Sequence, residues 1–381
     1  MLFRQTTLNA GDVVEVRSRE EILATLDANG RLDGLPFMPQ MFEHCGQRFK
    51  VIARAHKTCD VVAGEIRSLP DGVHLDTRCD GRAYGGCQAS CLLFWKHAWL
   101  RPVAGTEPSV GPVVSEPKSS RRQPASASQC TEEDVWRATS TPAHDDPTAK
   151  VFSCQATCVP TFTKPLAWWD VRQYVEDYRS GNVSLKRLFS GFLYQTYHHG
   201  TQAWRYRLGQ PARWLYDAFQ SAIGGIPFPR KPGRLPAGAT APSANLNLQP
   251  GDWVRVKTHD EILLTITKGG TNRGLLFDKE MVPFCGKTFR VKARVTTFVD
   301  EKTGRLATLK TPAVILDGVW CQSRYSNKKM FCPRALHSWW REVWLERVPG
   351  LDVTQFVGVD QIRNGDFHSD QVMHACGGCE S

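Results

Sequence analysis

Three cysteines stand close together in residues 78–100, which read RCDGRAYGGCQASCLLFWKHAWL. Seven residues separate Cys79 from Cys87, and three separate Cys87 from Cys91. Thiolates are soft donors that bind zinc and iron–sulfur clusters, and such a site uses about four of them or a mixture with imidazole. The Cys87 and Cys91 thiols can both face one metal from a single turn. The spacing therefore predicts a thiolate metal site that needs at least one further ligand.

Three other cysteines are candidates for the missing ligand. Cys59 lies in KTCD at the predicted end of a strand, Cys130 directly precedes an acidic helix start, and Cys154 opens CQATC after a short loop. We predict that at least one of them converges with the first three. The predicted metal ligands are Cys59, Cys79, Cys87, Cys91, Cys130 and Cys154, and the predicted cofactor is an iron–sulfur cluster or zinc. Unliganded buried thiols and a redox pair are the alternatives.

Other cysteines carry weaker signals. Cys45 and Cys285 each precede a turn glycine at a strand start, so we expect them to be small core residues. Cys321, Cys332 and His337 offer only three donors for a separate metal site.

The last residues of the chain contain a CxxC motif. Cys376 and Cys379 lie in HACGGCES, with His374 beside them. A terminal CxxC can exchange disulfides or pass on a metal, but it is equally typical of a tail with little structure.

Composition limits the class of protein. The chain has 381 residues, and 48 basic against 38 acidic residues give a net charge of +10. This charge permits nucleic acid or a membrane surface as a partner without selecting either. No secretory signal is recognisable and no run of about 18 apolar residues occurs, so we expect a cytoplasmic protein without a transmembrane segment. In that compartment the 13 cysteines would be reduced thiols.

The elements that must position these thiols are repeated within the chain. Residues 11–60 align without a gap with residues 251–300, and 20 of these 50 positions are identical. Both copies open with Gly-Asp and alternating apolar residues, which is the period-2 pattern of a half-buried strand. Ser18 and Glu21 are spaced as a helix capping box. We also expect Trp95 and Trp99, which recur at helical spacing, to be core residues rather than a nucleic-acid platform.

These patterns predict an α+β fold with two duplicated SH3-like small β-barrels separated by a helical insert. The predicted segments are residues 1–103 (first barrel with the cysteine-rich segment), 104–128 (flexible linker), 129–225 (helical region), 226–247 (Pro/Ala-rich linker), 248–350 (second barrel) and 351–381 (tail with CxxC). Below, the two barrels are called the first and second repeat, and residues 129–225 are called the insert.

Part of the chain resembles bacterial proteins of unassigned function that are associated with biosynthetic gene clusters. The resemblance is carried by the stretches GLPFMPQM, CGQRFKV and KTCD, followed by RCDG, GGCQASCLLFWKHAWL and CQAT. The resemblance covers residues 11–225. It implies no particular activity, cofactor or catalytic residue.

Our leading hypothesis is a cysteine-ligated metal-binding protein that acts as an accessory or redox component of a bacterial biosynthetic pathway, together with partner proteins of that pathway. The alternative is a nucleic-acid-binding protein in which two basic barrels grip phosphate. A second alternative is a metal-dependent enzyme with an open coordination position. The sequence contains no GxSxG, Walker, HExxH or GxGxxG motif that would specify a reaction.

Overall fold

The computed structural model describes residues 7–103, 130–203, 209–222, 226 and 228–348. The predicted flexible linker at residues 104–128 and the predicted tail at 351–381, with Cys376 and Cys379, lie outside the described residues. The described residues up to 347 form one compact unit, which contains both repeats and the insert.

The first repeat is built around a curled antiparallel sheet. Its strands are β1 (Val13–Val16), β2 (Arg31–Leu32), β3 (Leu35–Pro36), β4 (Arg48–Arg54), β5 (Lys57–Asp60), β6 (Glu65–Ser68), β7 (Gly72–Arg78), β8 (Leu92–Lys96) and β9 (Leu100–Pro102). Five of them form the sheet in the order β8-β7-β4-β1-β9. Helix α1 (Arg19–Leu23) follows β1, and the predicted capping box is confirmed, because the Ser18 hydroxyl accepts the Glu21 N–H while the Glu21 carboxylate accepts the Ser18 N–H.

The insert contains both helices and short strands. Its elements are α2 (Glu132–Arg137), β10 (Ser140–Pro142), β11 (Lys150–Phe152), α3 (Val159–Phe162), β12 (Lys164–Pro165), α4 (Arg172–Arg179), α5 (Leu185–Ala203) and α6 (Gly209–Ala222). Strand β10 pairs with β11, and β12 extends the hairpin formed by β5 and β6. The first part of the insert therefore adds strands where the sequence predicted helices. No helix of the described residues is both long enough and apolar enough to cross a membrane.

The second repeat has the same strand order as the first. Its elements are β13 (Trp253–Val256), α7 (His259–Leu263), β14 (Thr271–Asn272), β15 (Leu275–Leu276), β16 (Thr288–Val299), β17 (Leu306–Trp320), β18 (His337–Trp340) and β19 (Leu345–Arg347), with the sheet order β18-β17-β16-β13-β19. The register is also repeated, since Val14 pairs with Phe49 and Val254 with Phe289. The fold is thus mixed α+β with two curled antiparallel sheets of equal strand order.

Four tryptophans fill the two cores. Trp95, Trp99, Trp340 and Trp344 are completely buried, which confirms the expected core role. The helical spacing of the first pair was misleading, however, because Trp95 lies in β8 and Trp99 in the 3-10 turn His97–Trp99. A strand that runs into a single 3-10 turn returns its side chains to the core after four residues, as a helix does.

Each repeat extends an arm toward the other. In the first repeat the arm is the β5–β6 hairpin (residues 57–68), and in the second it is the tip of the long β16–β17 hairpin (residues 297–308). The Cys59 N–H of the first arm donates to Cys332 Sγ at 3.1 Å. The Val299 N–H of the second arm donates to Cys87 Sγ at 3.3 Å. Cys59 and Val299 occupy the same position in the aligned repeats. Cys87 and Cys332 also correspond, because each lies five residues before the matching strand, β8 or β18. The two repeats therefore exchange the same contact in both directions.

Residues 228–247 form neither helix nor strand, and they pack along the second repeat. The Arg234 N–H donates to Leu263 O, and the Leu235 N–H donates to Ile266 O. Phe228 is completely buried in a cluster with Tyr194 and Tyr325, whereas Ala244 and Leu246 pack against the core of the second repeat. This segment therefore contributes to the second core as well as connecting the insert to the repeat.

Candidate thiol site between the two repeats

A cavity of about 420 Å³ lies where the first repeat, the insert and the arm of the second repeat meet. Four cysteines line it, namely Cys79, Cys87, Cys91 and Cys154. All four are free thiols; the first three are half-buried, and Cys154 is buried. Three separate segments of the chain therefore deliver thiols to one place.

The sheet of the first repeat positions two of these thiols. Cys79 directly follows β7, and Cys91 directly precedes β8. The pairing of Arg78 with Leu92 places the two cysteines opposite each other across the antiparallel pair, and the Cys79 N–H donates to Cys91 O at 2.8 Å. Directly opposed residues have Cβ atoms about 5 Å apart, so both side chains are held near the same point.

A tight loop brings Cys87 back to this point. Gly81 O accepts the N–H groups of Tyr84 and Gly86, which folds residues 81–86 into a compact turn. Gly81 has a φ of +75°, and a Cβ at this position would lie only 1.9 Å from Cys87 O. Glycine is therefore required both for the backbone conformation and for the close approach of Cys87.

The insert supplies the fourth thiol. Cys154 follows the short strand β11, and its N–H donates to Thr157 Oγ1 at 3.0 Å. The turn continues with the Cys158 N–H donating to Cys154 O at 3.1 Å. Hydrogen bonds from the backbone N–H groups of Thr157 and Ala156 oppose the rise in the pKa of the Cys154 thiol that burial causes. Such N–H groups favour a thiolate at this position.

The second repeat closes the cavity with its arm and one buried cation. Gln88 Oε1 accepts the N–H groups of Thr296 and Thr297, and the Gln88 N–H donates to Thr297 O. Arg334 lines the cavity although it is only 2 % exposed. Its guanidinium donates to Glu301 Oε1 and to Cys59 O, both at 2.9 Å.

Burial keeps the Cys79 and Cys91 thiols of the cavity neutral near pH 7. Burial raises the pKa of the Cys91 thiol to about 12, and it raises the pKa of Cys79 further. A negative charge on Cys87 would raise the pKa of Cys79, Cys91 and Cys154 in addition. Arg334 has a lowering effect on the pKa of Cys91, because its positive charge favours the thiolate. Burial opposes the charge of Arg334 itself, yet the Glu301 carboxylate raises its pKa.

Two of the predicted ligands lie elsewhere. Cys59 is in the first arm and contacts Cys332 of the second repeat rather than lining the cavity. The neighbouring Cys332 side chain lowers the pKa of Cys59 against the effect of burial, and burial raises the pKa of Cys332. Cys130 is buried at the start of α2 near Gly30. Among the residues that the structure describes, no three His, Cys, Asp or Glu side chains are already gathered as a metal-binding group.

The sequence alignment missed two features of this region. Cys321 corresponds to Cys79, because its N–H donates to Leu336 O at 2.7 Å just as the Cys79 N–H donates to Cys91 O. The loops that follow these two cysteines differ in length, which hides the correspondence. The cavity-lining role of Arg334 was also missed, since no motif marks a buried arginine that reaches another repeat.

Comparison of this chain with protein-family models, with curated proteins and with solved structures gives no match.

Proposed function

We propose that the protein binds a thiophilic metal, either zinc or an iron–sulfur cluster, through Cys79, Cys87, Cys91 and Cys154. The observation that carries this proposal is the convergence of four free thiols from three chain segments on one cavity. Thiolate ligands lie about 2.3 Å from zinc, so binding would draw the four sulfurs inward by side-chain rotation.

The surroundings of the thiols suit this chemistry. Metal binding displaces the thiol protons, and the metal then supplies the positive charge that compensates the raised pKa values of these buried groups. A tetrathiolate site with zinc carries a net negative charge, and the buried guanidinium of Arg334 would offset part of it. Hydrogen bonds from Val299 to Cys87 and from the 156–157 backbone to Cys154 stabilise thiolate charge in the same way.

The test is the metal content of the full chain. Protein purified both aerobically and anaerobically would be analysed for zinc and iron, and its visible absorption spectrum would be recorded. The double variant Cys79→Ser/Cys91→Ser should lose at least nine-tenths of the bound metal. The matched control Cys285→Ser changes a half-buried cysteine outside the cavity and should retain the metal. Full metal content in the double variant, or metal-free protein from both preparations after reconstitution with each metal, would refute the proposal.

We propose further that the two curled sheets are duplicated SH3-like barrels. Their equal strand order and the register that repeats after 240 residues support this assignment. Superposition of residues 11–60 on residues 251–300 in an experimental structure tests it, and different strand paths would contradict it.

The biological setting that we propose is an accessory or redox role in a bacterial biosynthetic pathway. The support is the resemblance of residues 11–225 to proteins associated with biosynthetic gene clusters. Deletion of the coding gene should then abolish or alter one secreted or stored small molecule, which comparative mass spectrometry of the two strains would detect.

A further inference from the structure

A second pair of thiols lies at the contact between the repeats, outside the cavity lining. Cys332 lies 273 positions after Cys59 in the chain, yet the Cys59 N–H donates to Cys332 Sγ at 3.1 Å. Both side chains are buried and both thiols are free. They pack in one small apolar cluster with Ile66 of the first arm.

The Cys332 sulfur lies next to Cys59, as the formation of a disulfide between the two residues requires. The sulfur accepts a hydrogen bond from the backbone N–H of Cys59 at 3.1 Å. This contact places the Cys332 sulfur next to the backbone of Cys59, and rotation of the Cys59 side chain toward it is the movement that disulfide formation would use. The corresponding position in the second arm is Val299, which shows that this part of the fold accepts an apolar residue without a thiol.

The pair lies behind one wall of the cavity. Arg334 lines the cavity and donates to the carbonyl oxygen of Cys59, and the neighbouring residues Val61 and Val62 also line it. A small solute in the cavity is thus separated from the pair by this side chain and by the adjoining backbone. Motion of the Arg334 side chain would admit such a solute to the sulfurs.

We propose that Cys59 and Cys332 form a redox-active dithiol that a low-molecular-weight disulfide, such as glutathione disulfide, oxidises to an intramolecular disulfide. One thiolate attacks a sulfur of the glutathione disulfide, which breaks its S–S bond, releases one glutathione and leaves a mixed disulfide on the protein. The other thiolate then attacks the protein sulfur of that mixed disulfide and releases the second glutathione. The protein loses two electrons and two protons, and both are recovered in the two reduced glutathione molecules.

The product would join the two repeats covalently at their mutual contact. It would hold the first arm against the second repeat and so restrict any separation of the walls of the neighbouring cavity. This inference does not rest on the proposed metal site, because it involves a different pair of thiols.

The experiment detects the disulfide through the large loop that it would close in the denatured chain. Reduced full-length protein is equilibrated with glutathione disulfide, free thiols are blocked with N-ethylmaleimide, and the sample is run on a denaturing gel without reductant. Closing a loop of 273 residues makes the denatured chain more compact, so we expect a faster band that dithiothreitol abolishes. Peptide mapping should identify the Cys59–Cys332 linkage in that band.

Matched variants decide the assignment. Cys59→Val, which introduces the residue type of position 299, and Cys332→Ser should both abolish the faster band, whereas Cys285→Ser should retain it. Persistence of the band in Cys59→Val would overturn the proposal. So would peptide maps of the unsubstituted protein that lack the linkage after equilibration, and this second measurement does not depend on how well a variant folds. Metal content measured on Cys59→Val separates the two proposals, since loss of the faster band with full metal content supports both.

Discussion

Replacement of Gly81 by alanine tests how the loop between Cys79 and Cys87 is built. The new Cβ would lie 1.9 Å from Cys87 O, 2.7 Å from Cys87 C and 2.8 Å from Cys87 N. All three are backbone atoms, so no side-chain rotation can relieve the contact and the loop must open. Gly86, five residues further along, has almost the same φ of +76°, but no heavy atom lies within 4 Å of the position that its Cβ would take. Gly86→Ala is therefore a control for the backbone conformation alone.

The two variants should differ by the cost of the clash. A left-handed backbone conformation costs a non-glycine residue about 1–2 kcal/mol, and this applies to both variants. Overpacking adds about 1–3 kcal/mol at Gly81 only. We expect Gly81→Ala to lower the free energy of unfolding by about 2–5 kcal/mol and Gly86→Ala by about 1–2 kcal/mol. Urea unfolding followed by circular dichroism measures both, and metal content reports on the loop directly. Equal stability of the two variants would refute the described geometry of the loop.

Three further changes test other parts of the structure. Burial lowers the pKa of His74 to about 4, below its value of about 6.5 in an unfolded chain, so its contribution to stability is present above pH 6.5 and is lost as the pH falls toward 4. The complete loss amounts to about 3 kcal/mol. The variant His74→Ile introduces the residue of the corresponding position 315. Its urea unfolding midpoint should therefore fall less between pH 7 and pH 5 than that of the unsubstituted protein. An unchanged slope would show that folding does not lower the pKa of His74. Lys57 and Asp177 form a fully buried ion pair at 2.5 Å, so Lys57→Met alone should cost about 3–5 kcal/mol, while Lys57→Met/Asp177→Leu should recover much of that loss in the same urea assay. If the double variant loses as much unfolding free energy as Lys57→Met and Asp177→Leu lose together when measured singly, the pair is not coupled. Arg334→Met leaves the buried Cys59 carbonyl without this donor and should cost about 1–3 kcal/mol, whereas a thermal unfolding curve like that of the unsubstituted protein would contradict its placement at the contact between the repeats.

Local features of the chain could be read from the sequence because they depend on neighbouring residues. The alternation of Val14 and Val16 specifies a strand with one buried face, and Ser18 with Glu21 specifies the start of a helix. The ungapped alignment of the repeats also carries the strand register with it, since a slip by one residue would turn every buried side chain of the strand outward.

Short elements could not be read in this way. Strands β10 and β11 have three residues each, and the isolated bridge between Val151 and Arg305 ties them to the second arm. Three residues show too little periodicity to distinguish a strand from a loop. Their conformation is determined by what they pack against.

The grouping of the cysteines is the clearest case of a feature that only the tertiary structure decides. Spacing alone could associate Cys79, Cys87 and Cys91, because one hairpin and one loop hold them. It could not distinguish Cys154 from Cys59 or Cys130 as their neighbour, since each of these depends on how distant segments pack. Cys59 instead meets Cys332 because the two repeats exchange their arms, and a contact across 273 residues leaves no local pattern in the sequence. The sequence by itself therefore determined the repeated strands and the presence of clustered thiols, whereas the packing of one repeat against the other decided which thiols meet.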